Sequence, residues 1–150
     1  MVSSTTLLSD TILFTRDTLR SNITDPLGSR PAGEKFVMTS YPRRNTTYPI
    51  ITVKGMNLTA RKLGQQSETM LVSFDIEVRT WARNEKEKNN LWDEVFTHLR
   101  TNQFPSATAG TSTNADLHDF RLDSSNDIDE PGEEGIKSKI DIYKYIFITN

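Results

Sequence analysis

The stretch MLVSFDIEVRTWA, residues 70–82, alternates in the way of a β-strand that is buried on one face. Apolar residues such as Val72, Phe74 and Ile76 occupy the even positions, and polar residues such as Asp75 and Glu77 occupy most odd positions. Successive side chains of a strand point to opposite faces, so the pattern gives one apolar face and one largely charged face. We predict a long strand over residues 68–82, in an antiparallel sheet that is covered on one side.

The segment that follows has the signals of a helix over residues 84–102. Asn84 is a suitable N-cap, and Glu87 lies three residues later, as in a capping box. An apolar stripe at helical spacing comes next: Leu91, Trp92, Val95, Phe96 and Leu99. A similar stripe, stopped by Asp25-Pro26, predicts a second helix over residues 5–25.

Shorter strands are predicted on both sides of this strand–helix unit, at 35–40, 49–56, 117–123 and 139–149. In the last of these, Ile140, Ile142, Ile146 and Ile148 share one face. Most of these strands follow each other as hairpins, and the helices are segregated to one face of the sheet. This arrangement indicates an α+β fold. We therefore expect a mostly antiparallel sheet of four to five strands with two helices packed on one face.

The length is typical of one domain, and we expect residues 1–150 to form a single domain. Breaker-rich or polar connectors predict flexible loops near residues 26–34, 41–48, 57–67 and 103–116. A further stretch, rich in acids, glycine and proline, predicts an acidic loop at 124–135.

The composition excludes several classes of protein. The chain has no cysteine and two histidines, which excludes thiol chemistry and leaves little material for a zinc site. No apolar run approaches the roughly 20 residues that cross a membrane, and the N-terminus lacks a signal-peptide pattern, so we expect a soluble, intracellular protein. Hydrophobic residues are 35% of the chain, which favours a protein that shares burial with partner subunits over a monomeric enzyme with a deep pocket.

A net charge of −2 conceals two blocks of opposite sign. Between Arg30 and Lys62 there are seven basic residues and one acid, whereas between Asp116 and Glu134 there are eight acids and one base. The near-neutral total excludes a nucleic-acid binder that works by bulk charge. The segregation instead favours contact between a basic and an acidic surface.

Two patterns of acidic residues resemble metal-binding sites, and neither is specific. Asp123, Ser125, Asp127 and Glu134 occupy positions of a calcium loop, but Ile128 stands where that loop requires glycine. The D-x-E-x-R pattern of Asp75, Glu77 and Arg79 resembles metal-dependent nucleases, although any strand with a wet face produces such a trio. We expect no catalytic residue, no metal site and no cofactor.

The run YPIITV at 48–53, the basic loop RKLG at 61–64, the long strand and the charged start of the next helix are similar to a known family. They resemble the tail-terminator, or tail-completion, proteins of long-tailed bacteriophages. Tyr48, Pro49, Ile51 and Val53 match the first strand of that family. The pair Trp81-Ala82 and the stripe of Leu91, Val95 and Leu99 match its long strand and helix. The similarity covers roughly residues 5–102, and the acidic insert at 124–135 has no counterpart in it.

The resemblance implies a non-enzymatic virion subunit. Such proteins form a ring, typically a hexamer, on the head-proximal end of the tail tube after assembly in the host cytoplasm. The ring stops tube polymerisation and docks to the head connector or neck proteins. DNA passes through the ring without specific binding, and no membrane is involved.

Opposite charge blocks suit a ring in which one patch meets a different patch on the neighbouring copy. We expect four basic residues to face six acids of the next subunit. The basic residues are Arg43, Arg44, Arg61 and Lys62, and the acids are Asp123, Asp127, Asp129, Glu130, Glu133 and Glu134. We also expect the polar strand face with Asp75, Glu77 and Arg79, or the acidic loop, to line the lumen of the ring.

Two alternatives stay open at this point. A neck or head-completion protein uses a similar small α+β subunit on the portal side. A metal-dependent nuclease, using Asp75 and Glu77, is the alternative from another class.

Overall fold

The computed structural model describes residues 6–31, 33–39, 47–101, 116–129 and 135–149. These residues form two helices and five strands. In chain order they are α1 (Leu7–Asn22), β1 (Val37–Met38), β2 (Ile50–Lys62), β3 (Met70–Ala82), α2 (Glu85–Thr101), β4 (Asp116–Asp129) and β5 (Lys137–Thr149).

The five strands form one sheet in the order β1-β2-β3-β5-β4. The short β1 pairs in parallel with β2 at Ile51 and Thr52, and the other three pairings are antiparallel. β3 and β5 are paired along their whole length, from Met70 opposite Thr149 to Ala82 opposite Lys137. The expected α+β fold with a mostly antiparallel sheet is confirmed.

Both helices pack on the same face of the sheet. On α1, the Thr15 hydroxyl lies 3.1 Å from the Tyr145 hydroxyl of β5. On α2, the Trp92 ring lies 5.2 Å from the Lys139 ammonium group of the same strand. Residues 139 and 145 are separated by an even number of positions, so their side chains share a face. We call this the helix face and the opposite one the open face.

The core lies between the helix face and the two helices. The apolar even positions of β3, including Phe74, Ile76 and Val78, are buried there, as their alternation predicts. The rings of Phe74 and Phe147 stack with centroids 5.5 Å apart. Gly55 of β2 lets α1 approach closely, because a Cβ at this position would lie 2.8 Å from Ile12 Cδ1.

The start of α2 has the N-cap that its sequence predicts. The Asn84 Oδ1 accepts a hydrogen bond of 2.9 Å from the Glu87 backbone N–H. Glu87 reaches back to the backbone N–H of Arg83, one residue earlier than in a standard capping box, and also binds the Arg83 side chain. The cap satisfies one donor that the first turn would otherwise leave unpaired.

β2 and β4 each extend six residues beyond the C-terminal end that the sequence predicts. β2 continues to Lys62 and so includes the first part of the loop expected at 57–67. β4 continues to Asp129 and so includes the first six residues of the acidic loop expected at 124–135. Each extension pairs with a long neighbouring strand, β3 for β2 and β5 for β4. The backbone hydrogen bonds to that strand hold polar residues of low strand propensity in an extended conformation. Most of the loops expected at 41–48 and 103–116 lies outside the described residues.

Candidate assembly surface

The basic residues of the predicted interface that the structure describes lie on one edge of the sheet. β1 covers β2 only near Ile51 and Thr52, so the rest of β2 is paired on one side alone within the described part of the chain. Lys54, Arg61 and Lys62 lie on this uncovered part and are exposed. No ion pair is recorded for these three side chains within the described residues. Arg43 and Arg44 lie outside those residues.

The predicted acids that the structure describes belong to β4, on the other edge of the same sheet. Asp123 is 45% exposed, and its carboxylate lies 3.8 Å from the guanidinium of Arg121. Arg121 also lies 3.6 Å from the Asp119 carboxylate. Both contacts are long and solvent-exposed, so they contribute little to stability. This acidic surface is therefore accessible to a second cation.

Asp127 has a different role from the other acids, because it binds two cations of its own chain. Its Oδ1 lies 2.9 Å from the Lys88 ammonium group of α2 and 3.6 Å from that of Lys139. The hydrogen bond from Lys88 lowers the pKa of Asp127 and outweighs the opposing effect of burial. Asp127 thus joins α2 to β4, and an additional role between subunits stays a prediction.

Lys88 is a buried cation that the sequence analysis did not single out. Its side chain is 3% exposed, and it pairs with Glu85 at 2.7 Å as well as with Asp127. Burial lowers the pKa of Lys88, but the hydrogen bonds and charges of the two carboxylates outweigh it and raise that pKa overall. Its sequence neighbours Glu87 and Asn89 are polar, and the one signal of its burial is its position three residues before Leu91, on the buried stripe of α2.

The remaining predicted acids are only partly described. Asp129 is the last residue of β4, where it is registered opposite Lys137 of β5. Glu130, Glu133 and Glu134 lie outside the described residues. The hypothesis that these four acids contact a neighbouring subunit stays a prediction.

The predicted polar trio of β3 lies on the open face, and two of its members are held within the subunit. Asp75 is registered opposite Lys144 of β5, and the two charged groups are 3.7 Å apart. The Arg79 guanidinium stacks on the Trp81 ring at 3.7 Å and donates a hydrogen bond of 3.3 Å to Ser138 Oγ. Glu77 lies between Lys54 of β2 and Ile142 of β5 in the register. The face thus mixes both signs of charge.

The open face is also more apolar than the sequence of β3 alone indicates. Ile140, Ile142, Ile146 and Ile148 of β5 are registered opposite Arg79, Glu77, Ser73 and Leu71 of β3. All four isoleucines are half-buried. Their shared face was expected, but the core-facing row of β5 is the other one, with Asp141, Tyr143, Tyr145 and Phe147.

The described residues contain no group of three or more histidine, aspartate or glutamate side chains that could hold a metal ion. Of the calcium-loop positions, Ser125 donates a hydrogen bond to Asp141 and Asp127 binds Lys88, whereas Glu134 is not described. Asp75 of the nuclease pattern faces Lys144. A groove of about 450 Å³ lies between the segment that follows α1 and the first half of α2, and it is lined by Asp25, Asn84 and Glu94 among others.

Apolar side chains on the β2 edge form a feature that the sequence analysis missed. Met56 is 37% exposed and Leu58 is 49% exposed. Leu58, Ala60 and Val72, together with Leu8 of α1, line a groove of about 310 Å³ along this edge. The predicted loop at 57–67 concealed the signal, because it ends the predicted strand at Met56 and places Leu58 in the loop.

Neither described helix is long and apolar enough to cross a membrane. No protein-family model matches the chain, and no curated protein matches it.

Proposed function

We propose that this chain is a tail terminator of a long-tailed bacteriophage, a structural virion protein that caps the tail tube as an oligomeric ring and forms the docking surface for the head connector. The resemblance of residues 5–102 to that family motivates the proposal. One structural observation carries it furthest: the basic residues of β2 and the acids of β4 lie on opposite edges of one sheet. β2 has three basic residues and no acid, and β4 has five acids and one arginine.

Opposite edges with opposite charge favour head-to-tail association over a two-fold dimer. A two-fold contact brings the same edge of each copy together and therefore places like charges opposite each other. A head-to-tail contact brings a basic edge against an acidic edge, and it generates a ring when the rotation between copies closes. A ring, proposed here to be a hexamer, is the assembly that a tube-capping role requires.

The open face, which we expect to line the lumen, has charges of both signs. Asp75 faces Lys144, and Arg79 balances Glu77, so the acids and the cations of this face offset each other. If this face lines the lumen, passing DNA would meet an almost neutral surface, which agrees with passage without specific binding.

The first experiment is negative-stain imaging of the purified protein with light scattering on the same sample. A ring with a central hole and a mass of about six subunits, the number implied by the resemblance, supports the proposal. A strictly monomeric protein at high concentration and low salt would contradict it.

The second experiment identifies the partner and separates the proposal from a neck or head-completion role. A terminator binds the ends of purified tail tubes, whereas a neck protein binds the portal assembly. Thermal melting with magnesium or manganese tests the nuclease alternative, because saturable stabilisation by either metal would indicate a divalent-cation site.

A further inference from the structure

We propose that neighbouring copies join by strand addition, in which the free edge of β2 in one copy pairs antiparallel with the free edge of β4 in the next. This inference rests on the proposed ring and specifies how its subunits make contact. The partner is a second copy of this chain, and the contact makes one continuous sheet out of two.

Both edges have backbone hydrogen-bonding groups that no strand of the described residues pairs. Residues 54–62 of β2 have β3 on one side, and β4 has β5 on one side, with no further strand recorded among the described residues. An exposed edge presents a row of unpaired N–H and C=O groups to any strand that can reach it. These edges are long for a chain of this size, at nine and fourteen residues.

The strand directions favour an antiparallel junction. β2 is antiparallel to β3, β3 to β5, and β5 to β4, so β4 runs opposite to β2. A second copy added in the same orientation therefore places its β2 antiparallel to β4 of the first. The register through β3 and β5 places residues 54–61 of β2, which β1 leaves uncovered, at the level of residues 116–124 of β4.

Charge selects this junction over the other edge pairings. Lys54, Arg61 and Lys62 of one copy come to lie near Asp119 and Asp123 of the other. A junction of two β2 edges would place cations opposite cations, and a junction of two β4 edges would place acids opposite acids. Both would be unfavourable, because like charges directly opposite each other destabilise a strand pair.

Helix coverage adds an apolar component to the contact. α1 lies against β1 and β2, and α2 lies against β3 and β5, so the helix layer is thinnest over β4. Leu117, Phe120 and Leu122 on the helix face of β4 are half-buried. In the continuous sheet they come close to the α1–β2 groove of the next copy, where Leu58 is exposed.

Bulges limit the junction to two regular segments. β2 is irregular between Gly55 and Leu58, and β4 is irregular between Leu117 and Asp119 and between Leu122 and Ser124. Regular pairing is therefore available to residues 58–62 of β2 and to residues 119–122 of β4. Bulges and edge lysines also occur on strands that avoid association, so assembly itself must be measured.

Charge reversal on each edge tests the pairing. Arg61→Glu with Lys62→Glu, or Asp119→Lys with Asp123→Lys, should each abolish the ring while the thermal melting profile of the monomer is preserved. All four changes in one chain should restore the ring. Mixing the two double variants should also restore it, because every contact in an alternating ring with an even number of subunits then joins opposite charges.

Matched controls change the same number of charges away from the edges. Lys86→Glu with Arg100→Glu, and Asp93→Lys with Glu94→Lys, alter exposed residues of α2 and should leave the ring intact. If the edge variants still form rings like these controls, the strand-addition inference is wrong and the proposed ring stands. If the unaltered protein forms no ring, the proposed function itself fails.

A proline substitution separates strand pairing from simple charge attraction. The Leu63 N–H donates to the Thr69 carbonyl at 3.1 Å, and the register continues through Lys62 opposite Met70. Inward bonding alternates along an antiparallel strand, so the N–H of Ala60 points away from β3. Ala60→Pro should abolish the ring with the monomer still folded, whereas Ala60→Gly should retain it. A ring that persists in Ala60→Pro would overturn strand addition.

Discussion

Arg30 links the loop that follows α1 to the residues just before β2. Its side chain is 6% exposed and binds the Asp25 carboxylate at 2.6 Å. It donates hydrogen bonds to the backbone carbonyls of Thr47 and Pro49, and it lies over the Phe36 ring at 5.3 Å. Although Arg30 belongs to the basic block of the sequence, its role in the structure is within the subunit.

We expect Arg30→Lys to destabilise the folded subunit despite keeping the charge. Lysine cannot reproduce the fork of donors that binds a carboxylate and two carbonyls together. The loss should be about 1.5–3 kcal/mol, the range for hydrogen bonds to charged groups. Chemical denaturation measures it, with Arg16→Lys in the surface Arg16–Asp17 pair as the control. Equal stability of the two variants would contradict the anchoring role.

Asp141 is a buried carboxyl group on the helix face of β5. Burial raises the pKa of Asp141, and the hydrogen bonds from Ser125 and Tyr143 and the charge of Lys139 oppose this rise without cancelling it. The folded state therefore binds this proton more tightly than the unfolded state does. The stabilising contribution of Asp141 is complete below its unfolded pKa and is lost as the pH rises through its folded pKa.

We therefore expect Asp141→Asn to become more stable relative to the unaltered protein as the pH rises from about 4. Asparagine has no charge to desolvate, and the hydroxyls of Ser125 and Tyr143 can rotate to suit its amide. Denaturation midpoints between acidic and neutral pH measure the difference. Asp93→Asn, at an exposed position, supplies the control. A stability difference that does not change with pH would show that the folded-state pKa of Asp141 is not raised.

At the scale of elements, the Lys88–Asp127 pair holds α2 against β4. We expect Asp127→Ala to cost about 1–3 kcal/mol, because the buried ammonium group of Lys88 loses one of its two carboxylate partners. Lys88→Met should cost less, since an apolar side chain in that position needs no counterion. Urea denaturation at high salt, where assembly is weakened, compares the two variants.

Asp123→Ala is the control on the same strand, because Asp123 is exposed and its contact to Arg121 is long. We expect it to leave monomer stability nearly unchanged. If Asp127→Ala behaves like Asp123→Ala in the monomer but weakens the ring, the main role of Asp127 is between subunits. The element-scale account of Asp127 would then be wrong.

At the scale of the whole molecule, the segregation of charge to opposite sheet edges should make assembly sensitive to salt. The screening length falls from about 10 Å at 0.1 M salt to about 3 Å at 1 M. We expect the mass measured by light scattering to decrease along a salt series, with the ring predominant at low salt. The Asp119→Lys, Asp123→Lys variant should show no such decrease, because its edges repel at low salt. An unchanged mass for the unaltered protein would remove the electrostatic contribution.

Much of the fold follows from local pattern. The alternation of Val72, Phe74 and Ile76 against Asp75 and Glu77 predicts both the extent of β3 and its buried face. The cap at Asn84 and the stripe after it predict α2. These signals are reliable because each depends on near neighbours in sequence: side-chain direction in a strand, and donor satisfaction in the first turn of a helix.

The tertiary structure alone decided those features for which the local sequence pattern allows two outcomes. β5 has two apolar rows, and pairing with β3 selects Tyr143, Tyr145 and Phe147 for the core, because they share a face with Phe74 and Ile76. The polar end of β4 becomes a strand because β5 provides hydrogen-bonding partners for its backbone. Asp127 forms an ion pair because the fold brings Lys88 of α2 next to it. The sequence alone determined that the charges fall into two blocks. Only the strand order placed the basic residues of β2 and the acids of β4 on opposite edges, since edge position depends on pairing between distant segments.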